Sequence, residues 1–440
     1  MIPPLSPPSQ SRPKQRSGLT ARGARVALAA LALLGPLTAA CTNDSSSTKA
    51  DDTRGDASST SSGSSTATTA PQAGKPVEGT SGDFYAVPDP LPTGGHGTLL
   101  RFQEVTPSPI EGAKTFRIMY LSRSLAGDNI AVTGTALVPT VPAGPDGRRM
   151  LTIAHGTTGI ADECAPSKEP GSEILLMSGP MSGGWLVAMS DYEGLGTPGR
   201  HPYLVGPSEG RSVIDAILAA RSLPGADAGD QLAIAGYSQG GHGALWANEV
   251  AADWAPEVNV VGTFAGAPAT ELDVILAAAP NIPALSGFAF MMVAGFKEAY
   301  PDADLSTLLT PAGEEALDRV DKGCVGDVMS SFSDAGDEPL IRADGPASPE
   351  WKKLTTDSNP GSVVTADPVL IIHSEADDVV PVALSAMLND RMCRIGQAVE
   401  RRVVDRGGHG AAAPSIYLDA LDWLSDRFEG TPAPASTCPT

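Results

Sequence analysis

Basic side chains are scarce: 30 Lys and Arg stand against 51 Asp and Glu, for a formal charge of −21 over 440 residues. A chain so poor in cations lacks the means to hold a phosphate backbone, so nucleic acid is excluded as the main partner. The acidic balance suits solubility outside the cell. The five cysteines form no C-x-x-C pair and have no His-rich neighbour, so a zinc site is not expected, and nothing calls for a metal or other cofactor. Long apolar runs are missing too. The stretch Val26–Leu37 falls well short of the roughly 20 residues that a membrane-spanning helix needs. An apolar fraction of 41% is ordinary for a globular protein, and a chain of this length can bury a large core.

The first forty residues read as a secretory signal peptide. Arg12, Lys14, Arg16, Arg22 and Arg25 form a basic segment without an acid, followed by the apolar run and then Thr38-Ala39-Ala40-Cys41. Small residues before a cysteine suit the processing of a bacterial-type lipoprotein, which leaves Cys41 as an acylated N-terminus. Leu37 stands four residues before the cysteine, one further than usual, and the alternative is cleavage near Ala40 to free a secreted protein. Loss of the five cations deepens the formal charge from −21 to −26. Residues 41–82 are rich in Ser, Thr, Ala and Gly, which cannot bury enough surface to offset their ordering entropy. They are expected to form a flexible tether between a lipid-anchored cysteine at the outer face of the cytoplasmic membrane and a folded domain. The four later cysteines, Cys164, Cys324, Cys393 and Cys438, make an even set in an exported chain and predict two disulfides, with three possible pairings.

From Leu99 onward short apolar runs alternate with helical patterns. Strands are expected at Phe116–Ser122, Ile130–Val138, Met150–Ala154, Trp185–Ser190, Leu232–Gly236, Val258–Phe264, Val369–His373 and Arg401–Val404. Helices are expected at Ser212–Arg221, from Gly240 to about Ala252, and at Ile416–Phe428. This alternation predicts an α/β fold with a mostly parallel sheet covered on both faces. Residues 268–367 interrupt the rhythm and read as a helical cap, leaving 83–267 and 368–440 as the core.

The sharpest motif is Gly236-Tyr237-Ser238-Gln239-Gly240. Between an apolar strand and a small-residue helix, G-x-S-x-G makes a turn so tight that only small residues fit at its ends, and the serine is pushed out at the helix start. A serine hydroxyl needs a base to act as a nucleophile, and the base needs a carboxylate to orient it. In this architecture the chain order is Ser, acid, His. Of six histidines only His373 and His409 follow Ser238, and His373 precedes the acidic candidates inside a strand. His409, in a Gly-rich loop before the last helix, is therefore the expected base. In Glu375-Ala376-Asp377-Asp378-Val379-Val380-Pro381 the acid is read as Asp377, with Glu375 and Asp378 as solvated neighbours and Asp405 as a rival. An oxyanion hole needs two backbone N–H groups, each worth about 3 kcal/mol. The Gln239 amide is one; the loop His155-Gly156-Thr157-Thr158-Gly159 supplies the other, assigned to Thr157 ahead of Thr158. His155 is read as structural.

With these motifs in order, and with Asp191–Gly196 and His201-Pro202-Tyr203 between them, the chain from about Leu99 to Phe428 resembles the secretory lipase family of yeasts and actinobacteria. The resemblance implies an α/β-hydrolase fold, an inserted cap before the acid, lipase or carboxylesterase activity, and disulfides Cys164–Cys324 and Cys393–Cys438. Family members often carry an acidic residue where this chain has Thr157.

The leading expectation is thus an exported hydrolase of small-molecule or lipid esters, working through an acyl-enzyme. Phe288, Phe290, Met291 and Met292 would line an acyl tunnel or simply form the cap's own core. Two other readings remain: a cell-envelope acyltransferase, and a retired hydrolase scaffold serving as a surface binding protein.

Overall fold

A computed structural model describes residues 72, 74–79, 83–169, 172–282, 285–333 and 338–438. The expected signal peptide, Cys41 and all but the end of the expected tether lie outside the described residues.

Ten strands form one sheet: β1 (Val77–Glu78), β2 (Leu99–Val105), β3 (Ala113–Arg123), β4 (Asn129–Pro139), β5 (Arg148–Ala154), β6 (Leu186–Ser190), β7 (Ala228–Tyr237), β8 (Asn259–Gly266), β9 (Val369–Ser374) and β10 (Val399–Val404). Their spatial order is β1-β2-β3-β4-β6-β5-β7-β8-β9-β10. The pairs β2/β3, β3/β4 and β4/β6 are antiparallel, and every other neighbouring pair is parallel. The central parallel strands β6 and β9 are buried along their whole length, as strands covered on both faces must be. The eight strands legible in the sequence are all present. The first two were not read: β1 falls at the end of the stretch taken as tether, and β2 alternates too weakly to stand out.

Helices cover both faces. On one side α3 (Gly206–Ala220) and α4 (Gln239–Trp254) pack with Val213, Ile217 and Ala244 against Ile118, Tyr120 and Ile234. On the other, α1 (Ser172–Leu175), α2 (Ser178–Ser182) and the closing helix α11 (His409–Phe428) bring Met181, Ile416 and Leu424 onto Leu151, Val187 and Phe264. Helix α3 starts six residues before the expected Ser212, because Pro207 in its first turn needs no N–H partner there. That first turn lacks the apolar spacing that reveals the rest.

The insertion between β8 and β9 is helical, with α5 (Leu272–Ala278), α6 (Ser286–Ala299), α7 (Pro311–Ala316), α8 (Val325–Ser333) and α9 (Pro349–Asp357). Its core packs on Ile160, Tyr203, Leu204 and Val205, which lie in the segments after β5 and β6. After the cap, α10 (Val382–Ile395) joins β9 to β10. Two disulfides are formed, Cys164–Cys324 between the segment after β5 and the cap, and Cys393–Cys438 between α10 and the C-terminal tail.

Candidate active site

Ser238 is the single residue between β7 and α4, and its backbone sits at φ 61°, ψ −122°. An L-residue held there stores of order 1–3 kcal/mol of strain, so the surroundings must over-determine it. They do so on both sides. The Ser238 N–H donates to the Gly266 carbonyl at 2.9 Å, and the Ser238 carbonyl accepts the Ala269 N–H at 3.0 Å. The flanking glycines are required by space: a Cβ on Gly236 would lie 1.9 Å from the Gly240 oxygen, and one on Gly240 2.1 Å from the Ala154 oxygen. The half-buried side chain stands at the start of α4, where the first N–H groups lack intrahelical partners and favour negative charge.

Asp377 follows β9, and His409 opens α11 just past β10. Their contact is direct, Nδ1 of His409 lying 2.7 Å from Oδ2 of Asp377. Since a carboxylate only accepts, Nδ1 carries the proton and Nε2 is left as the basic nitrogen. Two further hydrogen bonds and a ring contact position the pair. The His409 N–H donates to Oδ1 of Asp378 at 2.8 Å, its carbonyl accepts the Tyr237 hydroxyl at 2.8 Å, and its ring lies 5.0 Å from the Tyr237 ring. Tyr237 directly precedes Ser238, so the imidazole is moored beside the turn that presents the hydroxyl. Asp378, read from sequence as a solvated neighbour, is exposed yet fixes the base. Asp405 is exposed, and the ring nitrogen bonds Asp377 instead. Among the described residues the Ser238 hydroxyl and Nε2 of His409 have no hydrogen-bond partner. Such bonds are often long without substrate and tighten once it binds.

The Asp377 carboxylate accepts three hydrogen bonds and lies close to a fourth nitrogen. Oδ1 accepts the N–H groups of Val379 and Val380 at 2.9 and 2.8 Å, while Oδ2 faces His409 and, at 3.4 Å, Nε2 of His373. Burial by itself would raise its pKa. The polar contacts with the His373 and His409 rings, with the Val379 N–H, outweigh that and hold the carboxyl below the ordinary range.

The loop 155–159 runs alongside this turn: the Cβ position of Gly240 lies 2.9 Å from the His155 carbonyl, and that of Gly156 3.5 Å from the Tyr237 carbonyl. Thr157 turns its hydroxyl to the Tyr203 hydroxyl at 2.8 Å, whereas Thr158 Oγ1 is buried without a partner among the described residues. The ring of His155 lies between two carbonyls, those of Gly156 and Asp191. Gln239, only 1% exposed, points its side chain down into a buried group made of His201, Glu209 and His242. Of these last three residues the sequence draws attention only to His201, within the family-like segment His201-Pro202-Tyr203, and gives Glu209 and His242 no role.

In the cap, Phe290, Met291 and Met292 are buried, and the Phe290 ring packs on Phe332 at 4.5 Å. They form the cap's own core. Phe288 is partly buried against that core. Among the described residues no three His, Cys, Asp or Glu are placed to hold a metal ion.

The sheet order, the helices on both faces and the strained serine between β7 and α4 define an α/β-hydrolase. The profile of the secretory lipase family matches residues 167–436; the chain belongs to that family of secreted carboxylic ester hydrolases. Lipase A of Moesziomyces aphidis is 25% identical over 387 residues, covering 81% of each chain. A Mycobacterium tuberculosis protein described as a probable inactive lipase is 26% identical over 376 residues, or 79% of this chain and 82% of that one. Among solved structures, Candida antarctica lipase A superposes with a TM-score of 0.67 at 22% identity, over 81% of this chain and 87% of its own.

Proposed function

We propose that the protein is an exported esterase or lipase in which Ser238, His409 and Asp377 form the catalytic triad. The observation that carries this reading is the mooring of the Asp377–His409 pair to Tyr237, the residue before a strained serine at the start of α4. Ser238 Oγ attacks the ester carbonyl carbon while Nε2 of His409 takes its proton, and Asp377 stabilises the imidazolium. The carbonyl oxygen becomes an oxyanion between the N–H groups of Gln239 and Thr157. Collapse expels the alcohol, which takes the proton from His409, and leaves an acyl-enzyme. A water molecule then gives His409 a proton as it attacks the acyl carbon. Collapse returns that proton to Ser238 and releases the carboxylic acid.

Upstream of this domain, Cys41 would anchor the chain through lipid and residues 42–82 would hold the domain clear of the membrane, within reach of ester substrates. The M. tuberculosis relative described as a probable inactive lipase favours one rival, a retired scaffold that binds without turnover. A fluorophosphonate probe separates the two. We expect labelling of the wild type, none of Ser238→Ala, and a fall in p-nitrophenyl ester hydrolysis of about 10⁴-fold or more in that variant. An unlabelled wild type, or a Ser238→Ala variant that still turns over, refutes the triad. Rates on acyl chains from two to eighteen carbons place the enzyme between esterase and lipase, and a collapse beyond about six carbons removes the lipase reading.

A further inference from the structure

Beneath the nucleophile turn lies a buried carboxylate for which the mechanism above has no use. Glu209, in the first turn of α3, is 0% exposed, as are the rings of His201 and His242 beside it. Oε1 of Glu209 accepts from Gln239 Nε2 at 2.8 Å and from the Leu204 N–H at 3.0 Å, and Oε2 lies 2.7 Å from Nδ1 of His242. Burial alone would raise the pKa of this carboxyl, but the His242 charge and hydrogen bond, with His201 and Gln239, outweigh it and hold it below its ordinary value.

The two bonds to Oε1 lead toward the reacting centre, whereas His242 continues to the Ser358 carbonyl at 2.8 Å. Gln239 uses both amide hydrogens here, one on Glu209 and one on Nε2 of His201 at 2.9 Å. His201 can accept that second hydrogen because Nδ1 donates to the Glu193 carbonyl at 2.9 Å, and burial pushes its pKa down to about 4, so the ring is neutral. Gln239 Oε1 is buried without a partner among the described residues. The side chain is thus held by its amino group alone, and the backbone N–H of the same residue is the proposed first oxyanion donor. Leu204, whose N–H is held by the same Oε1, sits at φ 60°, and the residue directly before it, Tyr203, meets the Thr157 hydroxyl with its own at 2.8 Å. Burial keeps the Tyr203 phenol protonated. Thr157 supplies the proposed second donor.

We propose that Glu209 is a positioning residue that sets both arms of the oxyanion hole at once: Gln239 through its side-chain amide, and Thr157 through Leu204 and Tyr203. The proposal rests on the triad reading given above, and it adds that one carboxylate on α3 couples two donors, one at the start of α4 and one in the loop after β5. Its chemistry is that of alignment. A donor displaced by a fraction of an ångström still binds the planar ester but no longer meets the oxyanion of the tetrahedral state.

The test uses the full chain, after wild type and Ser238→Ala have been compared on p-nitrophenyl butyrate. Glu209→Ala, Glu209→Gln and Tyr203→Phe are assayed for kcat and KM separately, and for inhibition by an alkyl boronic acid, which becomes tetrahedral on the serine. Misalignment on the ångström scale costs about 100-fold, so we expect Glu209→Ala to lose about that factor in kcat with KM within about twofold, and boronate affinity to fall in parallel. Glu209→Gln keeps Oε1 as an acceptor and should recover most of the loss. Tyr203→Phe removes one hydroxyl from a folded core and should lower kcat about tenfold. Should Glu209→Ala fail to fold, the other two variants decide. The proposal is overturned by wild-type kcat in Tyr203→Phe and Glu209→Ala, by losses confined to KM, or by a kcat loss that leaves boronate binding intact. A wild type inert on every ester fails one step earlier, at the triad itself, and takes the proposal with it.

Discussion

Asp367 and Asp377 flank β9 at its two ends and are pulled in opposite directions. Asp377 is held low by converging donors. Asp367, 6% exposed, is pushed up to about 6 by burial, against the pull of its hydrogen bonds. It accepts the Thr263 hydroxyl at 3.1 Å, and Asn248, with its amide turned toward the carboxylate, donates to both oxygens at 2.8 and 3.2 Å. A carboxyl near 3.9 when unfolded but near 6 when folded holds a proton between those values that the unfolded chain has released. The charged form therefore costs stability above pH 6, and that cost disappears as the pH falls toward 4. Asp367→Asn should accordingly stabilise the fold at pH 7 by up to about 3 kcal/mol and be near neutral at pH 4. Melting temperatures of the two proteins from pH 4 to 8 check this; an equal difference at both ends overturns it. Ser238, Asp377 and His409 stand out in the sequence because motif and chain order constrain them, and the contact between the last two is present in the fold. His373 does not: chain order sets it aside as a base, and only the fold shows its Nε2, bonded to the Val380 carbonyl at 2.9 Å, also facing Asp377. Tyr237 occupies a position that the motif leaves free, so its hydroxyl bond to His409 has no sequence signature.

At the scale of elements, periodicity revealed the strands of the central sheet and most of α4 and α11, because burial on both faces or on one stripe leaves a pattern. It missed the first turn of α3, where the Cβ position of Gly210 lies 2.7 Å from the backbone of Trp246. Close helix packing there is bought with small residues that carry no hydrophobic signal. The cap was legible as an interruption, but its five helices were not. Its attachment to the loop after β5 is double: Cys164–Cys324 is reinforced by the Val325 N–H, which donates to the Thr158 carbonyl at 2.8 Å. A bridge closing 160 residues is worth up to about 5 kcal/mol by loop-closure entropy, and commonly less. Replacing both cysteines by Ala should lower unfolding free energy by about 3–5 kcal/mol. It should also slow ester hydrolysis, because Thr158 adjoins the proposed oxyanion donor. Denaturant titration and kcat check both, and a bridge-free protein as stable and active as wild type rules the role out.

For the whole molecule, the charge of −21 includes the five cations of the expected signal peptide, so its removal would leave a chain more acidic still. Lipidation at Cys41 would hold this acidic domain at the cell envelope, whereas cleavage at Ala40 would release it. Expressed in a host that processes lipoproteins, the full chain should fractionate with membranes and take up labelled palmitate, and Cys41→Ala should abolish both. Equal recovery of the two proteins in the medium discards the anchor.

Strand β8 pairs directly with β9, Thr263 opposite Val369 and Gly266 opposite Ile372. The chain thus leaves the sheet and re-enters it one strand away, and the closure entropy of the intervening loop grows only slowly with its length. Lineages can lengthen, shorten or exchange that segment while the strand ends presenting Ser238 and Asp377 keep their spacing. On the triad reading, substrate preference could then change with that segment while the residues that carry the chemistry stay in place.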